Sequence, residues 1–192
     1  MDLKNKRLIL ASKSPRRREL LGKILPDFEI ITREVDERLP KDISPEEGVR
    51  LLAERKGEAI LTEETQDAII LSSDTLVELD GKPLGKPADK EDAVKMLKEL
   101  SGRTHYVRTG IAVRYKGRVF SETASSAVIF KSLSDEEIIA YVKSGEPMDK
   151  AGAYGIQGEG GKFVCKYEGD FDTIVGLSLR VTENLIRKAL EE

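Results

Sequence analysis

The chain has a single cysteine, a single histidine, no tryptophan, and few aromatic residues of any kind. One thiol, Cys165, excludes an intramolecular disulfide and fits a reducing compartment. One imidazole, His105, set in a strand-like run with no nucleophile elbow at a serine, disfavours a Ser-His-Asp hydrolase. The absence of a Gly-x-x-x-x-Gly-Lys-Ser/Thr segment disfavours a P-loop domain. No apolar run approaches the ~20 residues that span a bilayer, and the charged N-terminus lacks the apolar stretch of a secretory signal. Neither sign of charge dominates: 35 acidic against 32 basic side chains leave a net charge of -3, which argues against nucleic acid as a bulk partner. The expectation from these absences is a soluble cytoplasmic protein that binds neither membrane nor nucleic acid.

A length of 192 residues allows a sizeable core in a single domain, with room for two lobes around a cleft. Its most informative stretch is Leu8 to Leu21, where the apolar pattern changes period. Leu8-Ile9-Leu10 reads as a buried strand, and Leu20, Leu21 and Ile24 fall on one helix face. Ser14 is placed to cap that helix and Pro15 suits its first turn. A strand that delivers a loop to a helix N-terminus aims free N–H groups and the positive dipole end at one point, which suits an anion. Lys13, Arg16 and Arg17 add cations where they oppose the helix dipole, so a compensating anion is expected. Arginine forks match phosphate oxygens.

Further along, Phe28 to Thr32 reads as a short strand, followed by a charged loop, Arg33-Glu34-Val35-Asp36-Glu37, whose acids can face the basic loop. Ser44-Pro45-Glu46-Glu47 has the form of a capping box opening a helix to about Leu61; Lys56 on it reads as an ordinary solvated lysine. Ala68 to Leu71 suits a strand buried on both faces that stops at Ser72-Ser73-Asp74-Thr75. That places Asp74 just past a central strand, where α/β proteins put their chemistry. Leu76 to Leu79 then enters a hairpin at Asp80-Gly81, and Leu84-Gly85-Lys86-Pro87 brings another lysine beside a Gly and a Pro. Asp89 caps a helix ended by Gly102. Two long strands meet at Lys116-Gly117, and Ser134-Asp135-Glu136-Glu137 opens another helix. Ala151 to Gly161 holds five glycines and either lets backbone approach a ligand closely or is a flexible connection. A strand from Phe163 to Tyr167, in which Cys165 reads as core, and a helix from Leu179 to Leu190 complete an α/β fold: a mixed sheet with flanking helices.

The loops thus carry a basic cradle (Lys13, Arg16, Arg17), acids (Glu34, Asp74) and two lysines (Lys56, Lys86). Those parts suit metal-assisted phosphoryl chemistry, which needs neutralised oxygens, a hard cation on one or two carboxylates, and an aligned water.

In four blocks, Leu10-Ala11-Ser12-Lys13-Ser14-Pro15-Arg16-Arg17, Ser73-Asp74-Thr75, Leu84-Gly85-Lys86-Pro87, and Asp149 through Gly158, the chain resembles the Maf-like nucleoside triphosphate pyrophosphatases, also called septum formation inhibitor proteins. The order and spacing of the blocks carry the resemblance over nearly the whole chain. It implies two lobes around a deep cleft, a fold similar to inosine triphosphate pyrophosphatase, and hydrolysis of a nucleoside triphosphate to monophosphate and pyrophosphate with Mg²⁺ or Mn²⁺. The matching positions are Ser12, Arg16, Arg17, Glu34, Lys56, Asp74, Lys86 and Gln157. Glu34 and Asp74 would bind metal or activate water, with Asp74 the general base, and Ser12, Arg16, Arg17, Lys56 and Lys86 would hold phosphates. Thr75 and the block Ala153 to Gly158 look like the branch acting on dTTP and UTP rather than on 7-methyl-GTP. The Gln157 amide has the donor and acceptor to read the O4 and N3–H edge of uracil or thymine. Thr173 and Ser178 stand where the resemblance leads one to expect Asn and Pro. A nucleotide-binding regulator of septum formation that acts without catalysis is the alternative, and a homodimer stays open.

Overall fold

The computed structural model describes Leu3 and residues 5–191. In chain order the elements are β1 (Leu8–Leu10), α1 (Pro15–Gly22), β2 (Glu29–Ile30), α2 (Pro45–Glu58), β3 (Ile69–Leu79), β4 (Lys82–Leu84), α3 (Lys90–Leu100), β5 (Thr104–Tyr115), β6 (Arg118–Phe130), α4 (Asp135–Lys143), β7 (Val164–Glu168), α5 (Phe171–Val175) and α6 (Leu179–Glu191). The strands form a seven-stranded sheet in the order β2-β1-β3-β5-β6-β7, with β4 on β3. β1 runs parallel to β2 and β3, while β4 and β7 are antiparallel to their neighbours. The sheet is mixed, as the sequence pattern requires.

The chain divides into two compact units. One takes the chain up to Asp74, Thr109–Ala124 and the residues from Gly176; the other takes Thr75–Arg108 and Ser125–Val175.

In the first unit, β1 is buried throughout and pairs Leu8, Ile9 and Leu10 with Ile69, Ile70 and Leu71. An unbroken apolar run suits a strand with neighbours on both sides and cover on both faces. Helix α2 lies unusually close to the sheet. The Ser72 hydroxyl donates to the Ala53 carbonyl at 2.7 Å. A Cβ on Gly57 would sit 2.8 Å from Ser72 Oγ, and one on Gly110 would sit 2.4 Å from the Val49 carbonyl oxygen. Both glycines are there for close approach, since any side chain would push the helix away.

The sequence pattern ends one strand before Asp74 and begins another after it, whereas β3 runs unbroken through that position. The polar quartet does not break the strand because its hydroxyls are satisfied in place: Ser72 on Ala53, and Ser73 on the Gly176 carbonyl at 3.0 Å. β1 does stop, its last ladder partner being Leu71. Asp74 therefore lies beyond the carboxyl end of the neighbouring strand rather than of its own. β2 and α2 are shorter than their apolar patterns imply.

In the second unit, α3 and α4 pack on the sheet over a core that includes Val77, Leu97, Leu100, Val128, Tyr141 and Phe163. Ser134 makes the full capping box with Glu137. The glycine-rich segment is not a structureless connection: it follows a 3-10 turn at Glu146–Asp149 and holds two more, at Ala151–Ala153 and Glu159–Phe163. Cys165 is exposed rather than core, because β7 ends the strand order and four of its five residues face outward.

Candidate active site

At the N-terminus of α1 the expected cap forms, with the Arg17 N–H donating to Ser14 Oγ at 3.4 Å. The Ser14 N–H in turn donates to Ser12 Oγ at 3.3 Å. Arg17 folds back over this loop, giving its Nε to the Gly176 carbonyl at 2.8 Å and a terminal nitrogen to Ser12 Oγ at 3.3 Å. The Gly176 carbonyl thus receives both Arg17 and Ser73. Burial pushes the Arg17 guanidinium below its usual value, Asp74 pulls it back up, and Arg16 pushes it down again. The first turn of α1 holds no acidic residue, so the negative charge that Arg17 meets comes from outside the helix, from Asp74 and Glu37. Arg16 is half-buried and Lys13 exposed.

Lys56 continues the sheet-facing stripe of α2, three residues after Ala53 and seven after Val49. Ser72 and Asp74 share a face of β3, so the bond that ties Ser72 to α2 also carries Asp74 to the helix. Lys56 Nζ donates to Asp74 Oδ1 and pairs with Glu37 Oε1 at 2.9 Å. The Lys56 and Asp74 side chains are only 19% and 15% exposed, so this pair is screened less than a surface one.

Glu37 arrives there because its loop is gripped by the helix. Arg55 donates to the carbonyls of Asp36 and Arg38 at 3.1 and 2.8 Å, on either side of Glu37. Asp36 is held in turn by the Arg38 N–H at 3.0 Å and its guanidinium. Glu34, the acid expected from the sequence, is exposed in the same loop; the carboxylate brought to Lys56 is Glu37. The spacing of the loop does not separate these two glutamates.

The second unit holds the other expected positions. Thr75 is half-buried in β3, Lys86 is exposed after β4, and Gln157 is exposed. The loop of Lys86 is tied to the glycine-rich segment by the Gly152 N–H on the Gly85 carbonyl at 3.0 Å. Gln157 sits in a tight turn closed by the Gly158 N–H on the Gly155 carbonyl at 3.2 Å. Behind it the Tyr154 hydroxyl meets His105 Nε2 at 2.8 Å, among edge-to-face rings of Phe130 and Tyr154. Burial pushes His105 down to about 4, so it is a neutral structural residue, as its strand-like setting implies.

The first unit therefore gathers Ser12, Arg17, Lys56 and Asp74 with Glu37, and the second presents Thr75, Lys86 and Gln157. Residues 7–189 match the family described as Maf-like protein. The chain is 45% identical over 183 residues to a dTTP/UTP pyrophosphatase of Bacillus velezensis, covering 95% of this chain and 96% of that one. It is 44% identical to a protein of the same name from Vibrio cholerae, covering 95% and 97%, and 42% identical to one from Thermococcus gammatolerans, covering 91% and 92%. Among solved structures, the Ham1 protein of Staphylococcus aureus shares the fold at a TM-score of 0.52 and 20% identity, over 97% of this chain and 98% of that one. With the family pattern spanning nearly every element described, the chain belongs to the Maf-like proteins.

Proposed function

We propose that this protein is a nucleoside triphosphate pyrophosphatase that hydrolyses dTTP and UTP to the monophosphate and pyrophosphate, with the whole chain acting as a single domain. The observation that carries the reading is the pairing of two carboxylates, Asp74 and Glu37, on Lys56 Nζ, with Asp74 and Glu37 also interacting with Arg17. The names of the relatives support the substrate class.

In this reading Asp74 accepts the proton of a water whose oxygen bonds to the α-phosphorus, and the bond from that phosphorus to the bridging oxygen breaks, releasing pyrophosphate. Arg16, Arg17, Ser12, Lys56 and Lys86 hold the phosphate oxygens and the charge that develops on the leaving group. Lys56 also orients Asp74. Thr75 and Gln157 contribute to recognition of the nucleotide, Gln157 by reading the O4 and N3–H edge of the base.

Among the described residues no group of three or more His, Cys, Asp or Glu is placed to hold a metal ion. Two carboxylates suffice for Mg²⁺ or Mn²⁺ when substrate phosphates and waters complete the coordination, and an all-oxygen donor set suits such a hard cation. Asp74 and Glu37, rather than Glu34, would hold it, and its contribution is neutralisation of phosphate charge. A cytoplasmic setting fits the lone cysteine, and no described helix is long and apolar enough to cross a membrane.

The test is turnover of a panel of dTTP, UTP, CTP, ATP, GTP and 7-methyl-GTP with Mg²⁺ or Mn²⁺. Selective turnover of dTTP and UTP is expected, abolished by a chelator. Equal turnover of all six nucleotides, or preference for 7-methyl-GTP, would overturn the substrate assignment.

A further inference from the structure

The turn that carries Gln157 rests on a carboxylate. Glu146 Oε2 accepts the Glu159 N–H at 2.9 Å, and Oε1 accepts the Gly160 N–H at 3.3 Å and the Tyr141 hydroxyl at 2.9 Å. Tyr141 OH in turn accepts the Gly155 N–H at 3.2 Å. One carboxyl group therefore fixes the backbone on both sides of Ile156-Gln157, at Glu159 and Gly160 after it and, through one phenol, at Gly155 before it. The contact is close: a Cβ on Gly158 would lie 2.3 Å from Glu146 Oε1 and displace the carboxylate, and one on Gly160 would lie 2.6 Å from the Tyr141 hydroxyl. The glycines that read in sequence as room for a ligand make room for this side chain. Burial raises the Glu146 pKa, but the Glu159 N–H, the Tyr141 hydroxyl, the Gly160 N–H and Lys150 outweigh it and leave the carboxyl below its ordinary value. Burial first, then the bond to Glu146, raises Tyr141, which keeps the phenol a donor. Lys150 Nζ closes the arrangement on the Glu146 carbonyl at 2.8 Å.

We propose that Glu146 is a positioning residue for base recognition: its carboxylate sets the turn that presents Gln157, and so sets the preference for uracil and thymine over cytosine. The inference rests on the role given to Gln157 above. An acceptor pair is required, because an amide at this position would turn a donor toward either the Glu159 N–H or the Gly160 N–H. Loss of this support lets the turn move while leaving Asp74, Lys56 and the phosphate-holding residues as they are, so the cost falls on selectivity and KM rather than on kcat.

The experiment measures kcat and KM with UTP and CTP, which differ only at the N3 and position-4 edge, for the full-length wild type, Glu146→Gln, Gly158→Ala, Gln157→Ala and the double variant Glu146→Gln/Gln157→Ala. Gly158→Ala evicts the carboxylate without removing it and serves should Glu146→Gln fold poorly. The expected result is a fall in the UTP over CTP ratio of kcat/KM of about tenfold in each single variant, the scale of a lost recognition hydrogen bond. In Glu146→Gln and Gly158→Ala the fall comes through KM, and the double variant is no worse than Gln157→Ala alone. If Gln157→Ala loses selectivity while Glu146→Gln and Gly158→Ala keep it, or if the losses add in the double variant, the positioning role is overturned and the reading of Gln157 stands. If Gln157→Ala itself keeps the wild-type ratio, the reading of Gln157 falls, and this inference with it.

Discussion

The first unit gathers its candidate site residues through ion pairs between their own side chains, whereas the second holds Gln157 through its backbone, on one carboxylate, one phenol and closely packed glycines. Lys56 is held by Asp74 and Glu37, Arg17 by a carbonyl and a hydroxyl, and the whole cluster has formal charges to offer a ligand. Gln157 stands on a turn whose supports are Tyr141, Glu146 and a run of backbone N–H groups. The two means suit two tasks. Breaking an anhydride needs charge where charge develops, which is the role proposed for the charged cluster. Telling one pyrimidine from another needs a donor and an acceptor held at a fixed angle. In the proposed reading the second unit serves that task by tying down backbone and leaving the Gln157 amide exposed.

Substitutions in the charged cluster should show the larger effects. Asp74→Asn keeps the size of the side chain and is expected to lower kcat roughly 10³-fold, within the range of a lost general base, in a protein that still folds; full activity would remove Asp74 from the chemistry. The contrast between Glu37→Gln and Glu34→Gln sharpens the assignment within one loop. Steady-state kinetics and metal titration should show a loss on the order of 10²-fold for Glu37→Gln, which is paired with Lys56, the scale of a disturbed metal-site carboxylate, and less than about twofold for the exposed Glu34→Gln. The reverse order would restore Glu34. Arg55→Ala, which frees the carbonyls around Glu37, should cost roughly tenfold, about one hydrogen bond from a charged donor, and the loss should shrink in a Glu37→Gln background.

A separate effect, on stability rather than on activity, belongs to the second unit. His105 titrates near 6.5 when unfolded and is pushed down to about 4 by burial. Above pH ~6.5 neither state is protonated there, so the group contributes no pH dependence. As pH falls from about 6.5 toward about 4, the unfolded chain takes up a proton that the folded chain refuses, and stability declines by up to about 3 kcal/mol. Thermal midpoints measured across that window should fall more steeply for the wild type than for His105→Gln; parallel curves would contradict the burial argument.

Much of this was legible in the sequence where the cause is local. The Ser14-Pro15 cap, the Asp89 cap, the Ser134 box and the turns at Asp80-Gly81 and Lys116-Gly117 each depend on a few adjacent residues. At Ser44 the box forms only in half: its hydroxyl donates to Glu47 Oε2 at 2.9 Å, so the reciprocal backbone bond read from the sequence is missing from the arrangement seen at Ser134. β3 misled because Ser72-Ser73-Asp74-Thr75 has the composition of a turn, and only distant carbonyls, at Ala53 and Gly176, make it acceptable inside a strand. Lys56 left a usable signal, a lysine in the apolar stripe of an amphipathic helix. Glu37 left none, because its place depends on Arg55, far along the chain. Glu146 was invisible for a similar reason: the glycines that accommodate it look the same as glycines that would accommodate a ligand.

The most direct test of the account is the identity of the products released from UTP by the wild-type enzyme, followed in ¹⁸O-labelled water. Hydrolysis by the Asp74, Lys56 and Glu37 cluster predicts monophosphate and pyrophosphate in equal amounts, with the label on the monophosphate where water has attacked the α-phosphorus. Orthophosphate with UDP, or label carried only by the pyrophosphate, would contradict it.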